Sequence, residues 1–168
     1  MTEIEMYLEE FLEEAAKTKL IIDAIPASQS FWKPTEKSMS LIHMAAHLVE
    51  LTWWMEVILT TDFIDYLKVS DGINKYRDKE KILSKLSEVR ETGSLALKKF
   101  DEKNFETNWS LRFGDDIIFA ISKRKAIREH VFNHMIHHRG QLTMFLRLMD
   151  IKVPGIFGPT ADEMPAHD

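Results

Sequence analysis

The chain contains no cysteine, and this absence removes several kinds of function at once. Disulfides, thiolate metal ligands and cysteine nucleophiles are excluded, so any metal site has to be built from histidine, carboxylate or water. Glycine and proline are also scarce, with six and five residues in a chain of 168, and many of them lie after Asp150. Most of the chain is therefore free of the residues that break helices.

Long apolar runs and an excess of positive charge are missing as well. No uncharged apolar stretch approaches the length that spans a membrane, and the acidic segment from Met1 to Glu5 does not resemble a signal peptide. The formal net charge of −5 argues against a general nucleic-acid-binding protein, because contact with phosphates needs a basic face. We expect a cytoplasmic protein with no nucleic-acid or membrane partner, folded as one domain over residues 1–168.

Apolar residues recur at helical spacing in four long segments. The predicted helices cover residues 4–22, from 38 or 40 to about 59, 78–100, and 122–149, with a serine as the N-cap of the second and the fourth. After the second helix we expect a short helical continuation and a turn at 70–72, and before the fourth a small hairpin or an extended loop around Gly114. The pattern predicts an all-α four-helix bundle with long connections.

Two details of the predicted core depend on single residues. Gly93 lies on the apolar stripe of the third helix, where we expect it to permit the close approach of another helix. Several methionines are interpreted as core residues because their flexible side chains fill irregular space, namely Met44, Met55, Met135, Met144 and Met149. Trp53 and Trp54 are expected to pack in the same core, with lining a pocket as the alternative.

Histidines are concentrated in the predicted fourth helix. Four of the seven, His130, His134, His137 and His138, fall within nine consecutive residues. At about 100° per residue they share, with Gln141, a face roughly 100° wide. His134 and His138 are one turn apart, and two imidazoles at this spacing can reach one metal ion. This spacing favours a metal site on the fourth helix.

A second histidine pair, His43 and His47, lies on the predicted second helix, with His47 on its core-facing half. Facing helices of a bundle can build a metal site from inward side chains. One hypothesis uses His47 with His134 and His138 and leaves positions open, as in catalytic sites; another adds His43 and closes the site. A third interpretation treats each histidine as an ordinary core or surface residue that is hydrogen-bonded to carbonyl or carboxylate groups. That reading is weaker for the group, because burying several imidazoles is costly unless something shared satisfies them.

Three stretches of the sequence carry a family resemblance: His47-Leu48, the segment His134-Met135-Ile136-His137-His138-Arg139-Gly140-Gln141, and the segment 146–154. Together they resemble the DinB family of four-helix-bundle proteins. The order of elements is similar over nearly the whole chain. The resemblance implies an up-down-down-up bundle, frequent homodimers, and His47, His134 and His138 as ligands of a divalent metal such as zinc or nickel. Asp150 stands where the family often has glycine, and aspartate tolerates the left-handed conformation expected there.

The resemblance also implies a chemistry, because relatives transfer thiol cofactors such as bacillithiol or mycothiol to electrophiles. We therefore expect a metal-dependent thiol S-transferase with a small-molecule substrate; the alternatives are a metal-dependent hydrolase and a non-catalytic metal-binding or ligand-binding bundle. Asn133 and Gln141 are candidates for orienting an imidazole or a bound water, and Glu50 either supports His47 in the same way or is a surface carboxylate. Arg139 faces away from the histidines and is assigned to packing or an interface. His130 and His137 are interpreted as non-ligands, and His167 has no assigned role.

Overall fold

The computed structural model describes residues 1–69 and 72–164. Most of the predicted turn at 70–72 and all of the tail around His167 lie outside these ranges. The regular elements are α1 Glu3–Asp23, α2 Leu41–Thr60, β1 Phe63–Asp65, α3 Tyr66–Val69, α4 Lys79–Lys99, β2 Asn108–Phe113, β3 Asp116–Ser122, α5 Lys123–Ala126, a π-helical segment Ile127–Asn133, and α6 His134–Leu148. The last three are continuous and form one long helix, which we call the last helix.

Side-chain caps define where the four long helices begin. Thr2 and Glu5 form a reciprocal capping box at the start of α1. Ser40, Asp78 and Ser122 each accept a hydrogen bond from a backbone N–H three residues later, at the starts of α2, α4 and the last helix. These caps satisfy backbone donors that have no partner within the helix, and this is why the helices start at these residues. The predicted starts at Ser40 and Ser122 are confirmed.

Contacts between helix ends give the direction of α1 and α4. The N–H of Ile4, at the start of α1, donates to the carboxylate of Glu102, just beyond the end of α4. The ammonium group of Lys79, at the start of α4, donates to the carbonyl of Ile25, just beyond the end of α1. The two helices are therefore antiparallel neighbours.

The last helix runs parallel to α1 and antiparallel to α2. Arg128 forms a bidentate ion pair with Glu10, and Arg139, further along, pairs with the next turn of α1. On the other side, Trp54 late in α2 lies beside His130 early in the last helix, whereas the earlier residue of α2, His47, meets the later residue His138. The long helices thus run up, down, down and up, as the resemblance implied.

The bundle core is formed mainly by α2, in which fifteen of twenty residues are buried. Gly93 of α4 permits a close approach, because a Cβ added there would lie 2.7 Å from Cζ of Phe11 and 3.5 Å from Cβ of Met55. Met44, Met55 and Met135 are buried as predicted. The prediction for Met144 is wrong: it is 59% exposed because it lies on an outward row of the last helix. No helix among the described residues has the length and apolar character to span a membrane.

A three-stranded sheet lies beside the bundle in the order β1-β2-β3. Strands β2 and β3 form the predicted hairpin, with Gly114 at a φ of 60° in its turn. Strand β1, parallel to β2, was not predicted; a helical continuation was expected there. Three residues are too few for alternation to show in a sequence. Asp150 ends the last helix at a φ of 55°, which confirms the left-handed conformation expected at that position.

Candidate metal centre

Three imidazoles meet where α2 faces the last helix. His47 comes from α2, and His134 and His138 come from consecutive turns of α6. One ligand nitrogen from each ring lies within 4.8 Å of the other two, and the Nε2 atoms of His134 and His138 are 2.9 Å apart. In the part of the chain that the structure describes, this is the one group of three such side chains, and His43 is not in it. The fold therefore builds the open arrangement and not the four-histidine one.

Two of the imidazoles are held from behind by oxygen acceptors. Nδ1 of His47 lies 2.8 Å from Oε2 of Glu50, and Nδ1 of His138 lies 2.8 Å from Oε1 of Gln141. These oxygens accept hydrogen bonds, so each Nδ1 carries the proton and each Nε2 presents a lone pair. The same arrangement orients imidazoles that bind metals in other proteins. The roles predicted for Glu50 and Gln141 as imidazole-orienting residues match these contacts.

The surroundings keep His134 and His138 uncharged. Burial lowers the pKa of His134 to about 4, and the nearby His138 and His47 contribute to the lowering. Burial also lowers the pKa of His138 to about 4, with His47 as the next cause, although its hydrogen bond to Gln141 acts in the opposite direction. Both rings are therefore neutral near pH 7, which is the form that binds a metal.

The donor set fits a late first-row divalent metal. Imidazole nitrogens are preferred ligands of such ions, and lone pairs that face one another need a shared proton or cation between them. No carboxylate or fourth histidine of the described residues joins the group. Three protein ligands leave a coordination position for water or substrate, as in catalytic zinc sites.

The other nearby candidates lie at the edge of the centre. His130, one turn before His134, stacks on Phe119 of β3 with ring centroids 4.3 Å apart and planes 6° from parallel. His137 is exposed, with its ring 5.0 Å from that of His138. Asn133 is exposed and makes no hydrogen bond to the three histidines in the described structure, so nothing here supports an orienting role for it.

Two local features of the last helix position its histidines. The π-helical segment ends at Asn133, directly before His134. Its wider turns change the angular spacing, so counting 100° per residue from His130 does not hold across it, and the sequence gives no sign of this. On the opposite side, the fully buried Arg139 forms an ion pair with Glu14 and donates to the Thr18 hydroxyl, both on α1. This confirms the packing role predicted for Arg139 and leaves His138 facing α2.

Comparison with known proteins agrees with this fold. A DinB-like protein from Bacillus subtilis, YjoA, is 17% identical, with a TM-score of 0.68 over 92% of this chain and 97% of that one. YfiT from Bacillus subtilis, described as a probable metal-dependent hydrolase with an unusual four-helix bundle topology, is 18% identical, with a TM-score of 0.67 over 90% and 91%. A DinB-like protein from Bacillus cereus is 19% identical, with a TM-score of 0.69 over 91% and 97%.

At these identities the likeness to solved structures shows the fold alone. No curated protein matches the chain. The family assignment comes from the model of the DinB family, which matches residues 1–166, nearly the whole sequence. The chain therefore belongs to the DinB family.

Proposed function

We propose that this protein is a metal-dependent enzyme in which His47, His134 and His138 hold a divalent zinc or nickel ion. The observation that carries the proposal is the convergence of three imidazoles, two of them fixed from behind by Glu50 and Gln141. When bound, such an ion supplies Lewis acidity and lowers the pKa of a thiol or water at its open position.

The reaction we propose is transfer of a low-molecular-weight thiol, such as bacillithiol, to a small electrophilic substrate. The chain has no cysteine of its own, so a sulfur nucleophile has to come from a bound cofactor. The residues of the centre contribute nitrogen donors, and Glu50 and Gln141 keep the protons of His47 and His138 on Nδ1. The resemblance to thiol-transferring relatives is the second support.

Hydrolysis is the second candidate, and the similarity to YfiT, described as a probable metal-dependent hydrolase, favours it. The same three histidines serve this chemistry, with water in place of the thiol. The third candidate is a bundle that uses the ion only to hold α2 against the last helix.

Metal content is the first test. Purified without a histidine tag, the protein is expected to contain about one zinc or nickel ion per chain. His138→Ala should lower the affinity for zinc by at least about 100-fold, because two imidazoles hold an ion much less tightly than three. His137→Ala changes the exposed neighbour and is the matched control, with metal content unchanged. Equal metal in the two variants would contradict the proposed ligand set.

Activity then separates the three candidates. The metal-loaded protein is assayed with bacillithiol and 1-chloro-2,4-dinitrobenzene, and separately with p-nitrophenyl esters without thiol. Thiol-dependent turnover that is lost in His138→Ala supports the transferase, and thiol-independent ester cleavage supports the hydrolase. If both assays are blank while a chelator lowers the melting temperature, the ion is structural and the enzyme proposal is wrong.

A further inference from the structure

A cavity of about 500 Å³ lies between α2 and α4, beside the segment that follows α3. Its volume falls within the range of small-molecule sites in proteins. Trp53 of α2 and Tyr76 of the connecting segment line it with aromatic rings, and Val69 and Ile73 add aliphatic surface. Trp53 thus packs against the core, as expected, and also lines a pocket, which was the alternative.

The apolar walls of this cavity are held in place by the fold. Ile73 is buried in the core, and Trp53, Val69 and Tyr76 are partly buried and pack against it. Side chains that packing already fixes do not have to be ordered when a ligand binds, so the entropic cost of filling the cavity is reduced. The cavity is therefore suited to a flat apolar molecule in contact with Trp53 and Tyr76.

The charged groups in the lining are all engaged within the protein. The carboxylate of Glu50 lies 2.8 Å from Nδ1 of His47, and the ammonium group of Lys85 lies 2.6 Å from a carboxylate oxygen of Glu88. Lys75 also takes part in an interaction within the chain. A charged ligand would have no free partner of opposite sign here, and burying an unpaired charge is costly. The cavity therefore favours an uncharged ligand over an anion or a cation.

The lining also leaves no buried polar atom for a ligand to satisfy. Among the described residues, the buried side-chain polar atoms without a hydrogen-bond partner are Nε1 of Trp54 and Nε of Arg139, and neither residue lines this cavity. A ligand therefore needs no matching polar group, and its affinity comes from apolar contact with the two rings and the aliphatic side chains.

We propose that this cavity binds an uncharged aromatic molecule, with Trp53 and Tyr76 in contact with its rings. Glu50 lines the cavity and also accepts from His47, so the cavity and the metal centre have this carboxylate in common. The site does not depend on a bound metal or on the proposed function, because none of the three histidines lines the cavity.

Three ligands of similar shape test the preference for an uncharged molecule. Near pH 7, 1-naphthalenemethanol is neutral, 1-naphthoate is anionic and 1-naphthylmethylammonium is cationic. Calorimetric titration of the full chain, with a chelator present so that no metal contributes, should show one molecule of the alcohol per chain and an affinity at least about tenfold lower for each ion. Absent binding of the alcohol overturns the site, and an ion that binds as tightly as the alcohol overturns the ligand class.

Trp53→Ala tests where the alcohol binds. The variant should bind it at least about tenfold more weakly, because one aromatic surface of the lining is lost. Trp32→Ala is the matched control and should bind like the wild type, since Trp32 is also half-buried against the core but does not line the cavity. If Trp53→Ala does not fold, Tyr76→Ala, a change outside the long helices, takes its place with the same expected loss. An affinity equal to that of Trp32→Ala would contradict the site.

Discussion

At the scale of single residues, His47 shows how a neighbouring side chain determines which ring nitrogen of an imidazole can bind a metal. A histidine on an apolar helix face has two ring nitrogens, and each needs a partner when it is removed from water. Glu50, one turn further along α2, accepts from Nδ1 and leaves Nε2 facing His134 and His138. The tautomer that binds a metal is thus fixed before any ion arrives.

Replacing Glu50 tests that role. We expect Glu50→Ala to lower the affinity for zinc about tenfold, because the ring of His47 loses both its orientation and the carboxylate that raises its basicity. Glu50→Gln should have a smaller effect, since an amide oxygen still accepts from Nδ1. The measurement is competition with a chelator of known affinity.

Glu56→Ala is the control for that series. Glu56 lies on the same helix, but its carboxylate accepts from the Thr92 hydroxyl of α4 and not from a histidine. The variant should bind zinc like the wild type. Equal zinc affinities for Glu50→Ala and Glu56→Ala would refute the orienting role of Glu50.

The lowered pKa values of His134 and His138 predict how the stability of the metal-free protein depends on pH. Each pKa is about 4 in the folded protein and near 6.5 in the unfolded chain. Between these values the unfolded chain binds more protons, so the free energy of unfolding decreases as the pH falls from 6.5 towards 4. Each histidine contributes at most about 1.4 kcal/mol per pH unit.

Urea unfolding between about pH 7 and pH 5.5 measures this slope. The window stays above the range in which carboxylates with lowered pKa values, such as Glu14, lose their stabilising contribution. His43 and His130 also have pKa values lowered by burial, and they account for part of the slope. The double variant His134→Gln/His138→Gln should therefore have a shallower slope than the wild type. An identical slope would show that these two rings do not stay neutral in the folded protein.

At the scale of elements, the site was partly predictable from sequence. Spacing alone placed His134 and His138 one turn apart, because a helix of sufficient length and its cap at Ser122 are visible in the sequence. Choosing His47 over His43 as the third member required knowing which side of α2 faces the last helix, and that depends on packing between distant segments. The π-helical segment was not predictable, since its residues have the apolar pattern of an ordinary helix.

Two glycines in different helices give opposite predictions. Gly93→Ala should destabilise the protein by about 1–3 kcal/mol, because the added methyl group would lie within 2.7 Å of the fully buried ring of Phe11. Gly140→Ala should stabilise it by about 0.4–1 kcal/mol, because no atom lies within 4 Å of the added methyl group and alanine favours the helix.

Thermal and urea unfolding of the two variants measure both effects in one background. The pair controls for the general gain that alanine gives to a helix, so the difference between them reports the contact between α1 and α4. If Gly93→Ala is as stable as Gly140→Ala, the helices are not held in close approach at this position.

At the scale of the whole molecule, the sequence predicted the four long helices and the hairpin of β2 and β3, but not the third strand that completes the sheet. Helix periodicity is a local property of the sequence, and it is visible in each of the four long helices. Strand β1 and its pairing with β2 depend on residues about fifty positions apart, such as Phe63 and Ser110, and no local pattern records such a pairing. The exposure of Met144 also could not be predicted from a local pattern, because an apolar residue at helical spacing can face outward as well as inward.

That exposure leads to a proposal about assembly. Ile136, Met144 and Leu148 are 39%, 59% and 65% exposed, and with Gly140 they form a row spaced by four residues along α6. Rows of this spacing are what helices use to pack against each other. We propose that a second copy of the chain covers this row across a two-fold axis, which agrees with the homodimers implied by the resemblance.

Met144→Glu should convert this dimer into a monomer. In a two-fold interface the substitution places two carboxylates near each other in an apolar contact, which costs several kcal/mol relative to the methionine pair. Light scattering coupled to size-exclusion chromatography measures the mass of each variant. Met6→Glu is the matched control, because Met6 is a similarly exposed methionine, 50% accessible, on α1. A monomeric wild type, or a Met144→Glu variant that remains dimeric, would contradict the proposed interface.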